Sequence, residues 1–251
     1  MNWPLPVRLL VTLWAFGVLV VSTGLSVGVV ALCCLLRVPE AHMQWIPRFW
    51  AWSVLHLGIF CPVRVLGREN LDPEGVYVFA ANHTSALDIL ALQVVLPPNF
   101  RWLAKKELFD IPFFGWAMAR CGYIPIDRSD ARAALRSLQQ AGRRIAAGAS
   151  VLVFPEGTRS VSRELLPFKS GGLALAIRAR RPVVPVAILG ARRALPPKKY
   201  LLNPGVIHIV FGRPIPVEGL KLGQREELAR RVQQEVQALL DAARARLEGR
   251  A

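Results

Sequence analysis

The sequence predicts an α/β fold, a mostly parallel sheet flanked by helices and preceded by an N-terminal hydrophobic helical membrane anchor. Three observations predict it. Residues 9–36 contain no Asp, Glu, Lys, Arg or His, a run that belongs in lipid. Between residues 76 and 211, short apolar runs alternate with stretches of helical periodicity, the pattern of parallel strands joined by crossover helices. Leu228, Val232, Val236, Leu239, Ala243 and Leu247 then recur at helical spacing and predict an amphipathic helix over residues 225–247. The expected organisation is anchoring helices over 1–60, an α/β domain over 61–220 and a C-terminal helix packed on it within 221–251.

The anchor is justified by length and by its flanks. Arg8 and Arg37 bound the uncharged run. A helix over its 28 residues would be about 42 Å long, against roughly 30 Å of hydrocarbon, so it is expected to tilt, bend or end early. Gly17, Gly24 and Gly28 are the candidate weak points. A cleavable signal peptide fits less well, because Arg8 is its only basic flank and no small-x-small site closes the run. Hydropathy leaves open whether the segment spans the bilayer or lies in one leaflet. A second apolar stretch, residues 43–60, carries Trp45, Trp50 and Trp52, and reads either as an interfacial helix or as an ordinary core helix.

In the soluble part, residues 76–81 read as a buried strand that breaks into a loop and then a helix. The same grammar continues with a short strand at 102–103, a helix at 115–121, a strand at 123–126 and a helix at 131–147. Strands at 150–154, 183–189 and 206–211 follow, with a helix at 171–180. In such folds ligands bind at the loops that leave the carboxyl ends of the strands.

Charge narrows the function classes. The 251 residues carry 32 Lys plus Arg against 17 Asp plus Glu, a net charge of +15, yet 53% are hydrophobic, which excludes a disordered basic protein. Arg8, Arg37 and Arg48 against Glu40 leave residues 1–60 at +2, so +13 of the +15 sits on the soluble part. By the positive-inside tendency that part is expected on the cytoplasmic side of the cell inner membrane, facing anionic headgroups. The competing partner, nucleic acid, lacks any zinc-finger, helix-turn-helix or RNP pattern here. Cys33, Cys34, Cys61 and Cys121 show no metal or redox spacing, which suits a reducing compartment.

The candidate chemistry begins at His83 and Asp88, in NHTSALD. Five residues along a helix turn a side chain about 140° away, so the two can pair only if His83 precedes the helix. Thr84 or Ser85 as N-cap would arrange that. The imidazole would then be oriented through one nitrogen and accept a proton at the other. Ser85 and Asp88 also make a capping-box pattern, and on these residues alone both readings stand. The second candidate, VFPEGTRS at 153–160, combines Glu156, Gly157, Thr158 and Arg159 at a strand end, with Lys169 a few residues on. Glycine lets backbone approach an anion and a guanidinium forks onto phosphate oxygens.

In their order and intervals these motifs resemble the glycerolipid acyltransferase family, the 1-acylglycerol-3-phosphate acyltransferases. The H-x4-D block matches 83–88, a second block 122–128 ending in Asp127 and Arg128, F-P-E-G-T-R-S 154–160, and a proline-bearing block 183–188. The segment AKKELFDIPFFGW at 104–116 also resembles the family, and the anchor is typical of its bacterial members. The resemblance covers roughly 76–190 and implies acyl transfer from acyl-CoA or acyl-ACP to the sn-2 hydroxyl of lysophosphatidate. It implies His83 as base and Asp88 as its orienter. Gly157, Thr158 and Arg159 would bind the acceptor phosphate, Glu156 would contact the glycerol or fix Arg159, and Lys105 and Arg128 are further phosphate candidates. Backbone N–H groups or Lys105 would stabilise the oxyanion. No bound cofactor or metal is expected; the partners are lysophosphatidate, the acyl thioester with acyl carrier protein as one carrier, and membrane lipids. Relatives sharing these blocks acylate glycerol-3-phosphate, other lysophospholipids or lyso-ornithine lipids. From another class, a non-catalytic basic lipid-binding protein could keep the same fold.

Overall fold

The computed structural model describes residues 3–127, 131–162 and 164–248, without the side chains of 131, 132, 134 and 135. The six-stranded sheet comprises β1 (Val63–Leu66), β2 (Val78–Ala81), β3 (Phe100–Arg101), β6 (Ser150–Val153), β7 (Val183–Leu189) and β8 (Ile207–Phe211), in the order β1-β8-β7-β2-β6-β3. All neighbours are parallel except β7 and β8. A separate parallel pair joins β4 (Leu103–Lys105) to β5 (Ile124–Ile126).

Every residue of β2 and β6 is buried, as strands covered on both faces must be. Alternation sorts them. Phe79 and Ala81 enter one apolar cluster with α3 (Leu87–Val95) and the first turns of α1 (Leu5–Leu35), whereas Val78, Ala80, Val151 and Val153 enter the other. That second cluster also holds side chains of α5 (Ala131–Ala146), α6 (Ser170–Ala179) and α8 (Arg225–Glu248). The expected mostly parallel sheet between helices is the observed architecture. Two elements differ from the sequence reading. β1 is an edge strand whose residues alternate between half-buried and exposed, so it has no apolar run to announce it. Residues 102–103, expected as one short strand, straddle a break: the chain leaves the main sheet after Arg101 and joins β5 from Leu103.

The N-terminal region is a single 31-residue helix, continuous through all three glycines, each of which faces open space where a side chain would meet nothing. It is the one helix among the described residues long and apolar enough to cross a membrane. A short 3-10 turn (Glu40–Gln44), α2 (Trp45–Trp52) and a π-helical turn (Ser53–Gly58) then fold back against it. Trp14 Nε1 donates to the Leu57 carbonyl at 2.7 Å, and Trp50 Nε1 to Thr23 Oγ1 at 3.0 Å. The outer faces keep Leu10, Leu13, Phe16, Leu25, Trp45 and Phe49 exposed, the kind of clustered apolar exposure that marks an interaction site.

Candidate active site

Pairing of Ala80 with Val153, and of Ala81 with Val186, sets the carboxyl ends of β2, β6 and β7 side by side. The loop after β2 carries His83 and the turn after β6 carries residues 154–160, so the two sequence motifs meet at the strand ends. α3 starts at Leu87, two residues later than a cap at Thr84 would give and one later than a cap at Ser85, with Ala86 in the cap position and no side-chain cap bond there. His83 therefore lies outside the helix and Asp88 inside its first turn.

Asp88 is fully buried, and its Oδ2 accepts three hydrogen bonds: from His83 Nδ1 at 2.9 Å, Thr84 N at 2.6 Å and Ser85 N at 2.8 Å. The capping and orienting readings thus coexist in one oxygen. Because a carboxylate can only accept, the neutral His83 ring carries its proton on Nδ1 and keeps Nε2 as a lone-pair acceptor. One face of the imidazole is covered by Phe154, stacked at 3.9 Å between centroids and 16° from parallel. Behind Phe154 lies Trp102, whose indole N–H donates to Gln93 Oε1 at 2.6 Å; Tyr123 donates to the same oxygen at 2.9 Å.

The backbone of His83 is held by the other motif. Its N–H donates to Glu156 Oε1 at 2.6 Å, and its carbonyl accepts from Ser160 N at 2.8 Å. Glu156 is buried, and its second oxygen accepts from Leu166 N at 3.1 Å. Burial pushes its carboxyl pKa up, while the two backbone donors pull it back. Where the family resemblance implies contact with glycerol or Arg159, the bonds present run to backbone: each oxygen of Glu156 accepts from one amide, and the residue builds the site from beneath. Asn82 adds a two-point clamp on Ile188 of β7, donating to its carbonyl at 3.0 Å and accepting from its N–H at 2.7 Å.

Gly157 has φ +74°, a left-handed conformation that favours glycine. A Cβ there would lie 3.2 Å from Lys169 Nζ, so that ammonium covers the turn. Thr158 and Arg159 are exposed, and among the described residues nothing holds the Arg159 guanidinium. Lys105 is paired at the surface with Glu107 at 2.9 Å. Arg128 lies outside the described residues. Cys61 and Cys121 are buried, and burial raises both thiols, Cys121 to about 12, so neither offers a thiolate nucleophile. Sequence reasoning set Lys169 beside the motif without its contact at Gly157, and missed the part played by Phe154; the proximity of one and the stacking of the other depend on contacts across the fold.

A protein-family model described as Acyltransferase matches residues 62–189, about half of the chain. The 1-acyl-sn-glycerol-3-phosphate acyltransferase of Saccharomyces cerevisiae is 35% identical over 213 residues, covering 83% of this chain and 70% of the yeast protein. The Pseudomonas aeruginosa protein of the same name is 38% identical, over 72% of this chain and 71% of its own. A Chlamydomonas reinhardtii relative is 40% identical, but the aligned region is only half of that protein's length. The crystal structure of the Thermotoga maritima 1-acyl-sn-glycerophosphate (LPA) acyltransferase, PlsC, superposes with a TM-score of 0.82 at 26% identity, covering 95% of this chain and 96% of that one.

Proposed function

We propose, because this chain belongs to the acyltransferase family, that its site moves an acyl group from a thioester to the sn-2 hydroxyl of 1-acyl-sn-glycerol-3-phosphate, giving phosphatidic acid. The observation that carries this is the His83 ring, fixed through Nδ1 on buried Asp88 with Nε2 left to accept a proton, its backbone clamped by the turn that presents Arg159. His83 Nε2 takes the hydroxyl proton as the oxygen attacks the thioester carbonyl. The tetrahedral intermediate collapses, the C–S bond breaks, and the imidazolium returns the proton to the departing thiolate of coenzyme A or acyl carrier protein. Asp88 stabilises the transient imidazolium. No acyl-enzyme is required, since the acceptor supplies the nucleophile, and every step uses protein groups without metal or bound cofactor. Arg159 and Lys169, at the Gly157 turn, bind the acceptor phosphate.

The same reading places the protein at the cytoplasmic face of the inner membrane, with its two N-terminal helices in one leaflet. A helix of 31 residues is about 46 Å long. Arg8 near its start donates to the carbonyls of Leu201 and Leu202, and Val30 near its end packs on Met43, Ile46 and Ala117. Fastened at both ends to one body, the helix lies along that body instead of leaving it to cross a bilayer. The apolar wall it forms suits a substrate whose chains never leave the lipid.

The test is an acceptor panel with purified protein in detergent, using acyl-CoA and acyl-ACP as donors. Lysophosphatidate is the expected acceptor, and H83A is expected to lower turnover by about 10³-fold or more with the fold intact. Near-wild-type turnover of H83A would remove the base, and preferential acylation of a phosphate-free acceptor would overturn the substrate.

A further inference from the structure

The segment after β7 takes no part in the chemistry above, yet it joins the site to the anchor. From residue 191 to 217 there is no Asp or Glu, whereas Arg192, Arg193, Lys198 and Lys199 fall within eight positions. Lys198, Lys199 and Tyr200 are exposed, Tyr200 at 88%, so an aromatic ring stands in solvent beside two ammonium groups. The segment is strapped to the first turns of α1. Besides the two bonds from Arg8, Leu202 N donates to Thr12 Oγ1 at 3.0 Å, and Trp3 N donates to Asn203 Oδ1 at 2.9 Å. Its other end reaches the active site: Ser85 Oγ donates to the Leu195 carbonyl at 2.8 Å, and Arg192 donates to the carbonyl of Val161, just past the F-P-E-G-T-R-S turn.

These fastenings fix its depth. Leu5, Leu9 and Leu10, on the turns to which the segment is tied, are exposed and apolar, so they occupy hydrocarbon when α1 does. A loop bonded to Arg8 and Thr12 is then held at the level of the headgroups, where Tyr rings concentrate and where lysines are drawn to anionic lipid. We infer that residues 192–200 form a docking surface for the phosphates of anionic bilayer lipids, with Lys198 and Lys199 as the contacting cations and Tyr200 as the interfacial anchor. The bridge to Leu195 and Val161 gives the contact a purpose: it holds the catalytic mouth at the depth where a lysophosphatidate headgroup arrives. The inference rests on the membrane placement proposed above, and it adds an activator, anionic lipid, distinct from the substrate.

The experiment uses the full chain reconstituted in phosphatidylcholine vesicles with or without 30 mol% phosphatidylglycerol. Lysine acetylation footprinting is expected to find Lys198 and Lys199 protected severalfold by phosphatidylglycerol at low salt, with protection lost in high salt and Lys221, exposed elsewhere, unaffected. K198Q/K199Q is expected to lower the ratio of turnover in anionic over zwitterionic vesicles by about fivefold or more, while leaving turnover in detergent unchanged. The control R230Q/R231Q, on exposed positions of α8, is expected to leave that ratio alone. Equal modification of Lys198 and Lys199 in both vesicles, or an equal response of the two double variants, would overturn the inference. Footprinting needs no turnover, so its failure with acyl transfer intact condemns only this surface. Protection without acyl transfer condemns only the proposed activity.

Discussion

The loop that carries His83 and the helix that carries the apolar anchor follow opposite rules. Around His83, almost every polar atom of a few residues is spoken for: Asp88 Oδ2 by three donors, Glu156 by two amides, Asn82 by both groups of Ile188. Position there is set by directed bonds of about 3 Å, and identity at each residue matters. Along α1, Val11, Ala15 and Val30 are buried and Arg8, Thr12, Trp14 and Thr23 bond to the rest of the protein, but the outer face is a run of exposed apolar side chains whose exact identity no directed bond fixes. A catalytic base needs a fixed orientation, and an anchor needs area. Substitutions in the two regions should therefore differ in kind as well as in size.

The largest departure is expected from D88N. An asparagine oxygen in place of Oδ2 still accepts from Thr84 N, Ser85 N and His83 Nδ1, so the loop keeps its shape. The negative charge that stabilises the imidazolium is gone. Turnover should fall by about 10³-fold while the melting temperature changes little, as expected where an orienting carboxylate becomes an amide. If steady-state kinetics show a loss below tenfold together with a lowered melting temperature, Asp88 serves as a helix cap alone.

R159A comes next. Its guanidinium has no partner among the described residues, so its removal should leave stability untouched. The apparent KM for a phosphate-bearing acceptor should rise by about ten- to a hundredfold, consistent with loss of charge-assisted hydrogen bonds of roughly 1.5–3 kcal/mol. An uncharged acceptor should be affected far less. Equal losses on both would show that Arg159 shapes the turn and does not bind phosphate.

How much of this was legible in the sequence follows the same division. Spacing and capping chemistry showed that His83 and Asp88 are able to pair, because the relation is local, but left the capping reading standing beside it until the family resemblance favoured the pair. The helices and buried strands over residues 131–189 fall within a residue or so of their periodic patterns, because apolar repeats report burial directly. The role of Glu156 was hidden: its partner His83 lies 73 residues away and contributes a backbone amide, which has no residue-type signature. β1 was hidden for the reverse reason, since Arg64 and a half-exposed edge erase the apolar run. The glycines of α1 looked like breaks in one dimension. In three they face open space, where the absence of a side chain alters nothing but local backbone preference.

That last point gives the smallest and most direct test of the contrast, because one substitution can be made in both regions. At Gly157, φ +74° disfavours any Cβ by roughly 1–2 kcal/mol, and the added methyl would also press on Lys169 Nζ, which can swing aside. G157A should therefore lower stability by about that amount and disturb the phosphate site. Gly24 lies in regular helix where an added methyl would meet nothing within 4 Å, and Ala is favoured over Gly in a helix interior by up to about 1 kcal/mol. G24A should hold or raise the melting temperature and leave turnover unchanged. Thermal melts of both variants in one detergent, paired with turnover, should give opposite signs. Equal signs would mean that the anchor glycines are conformationally required, and that the helix is shaped by bonds as specific as those around His83.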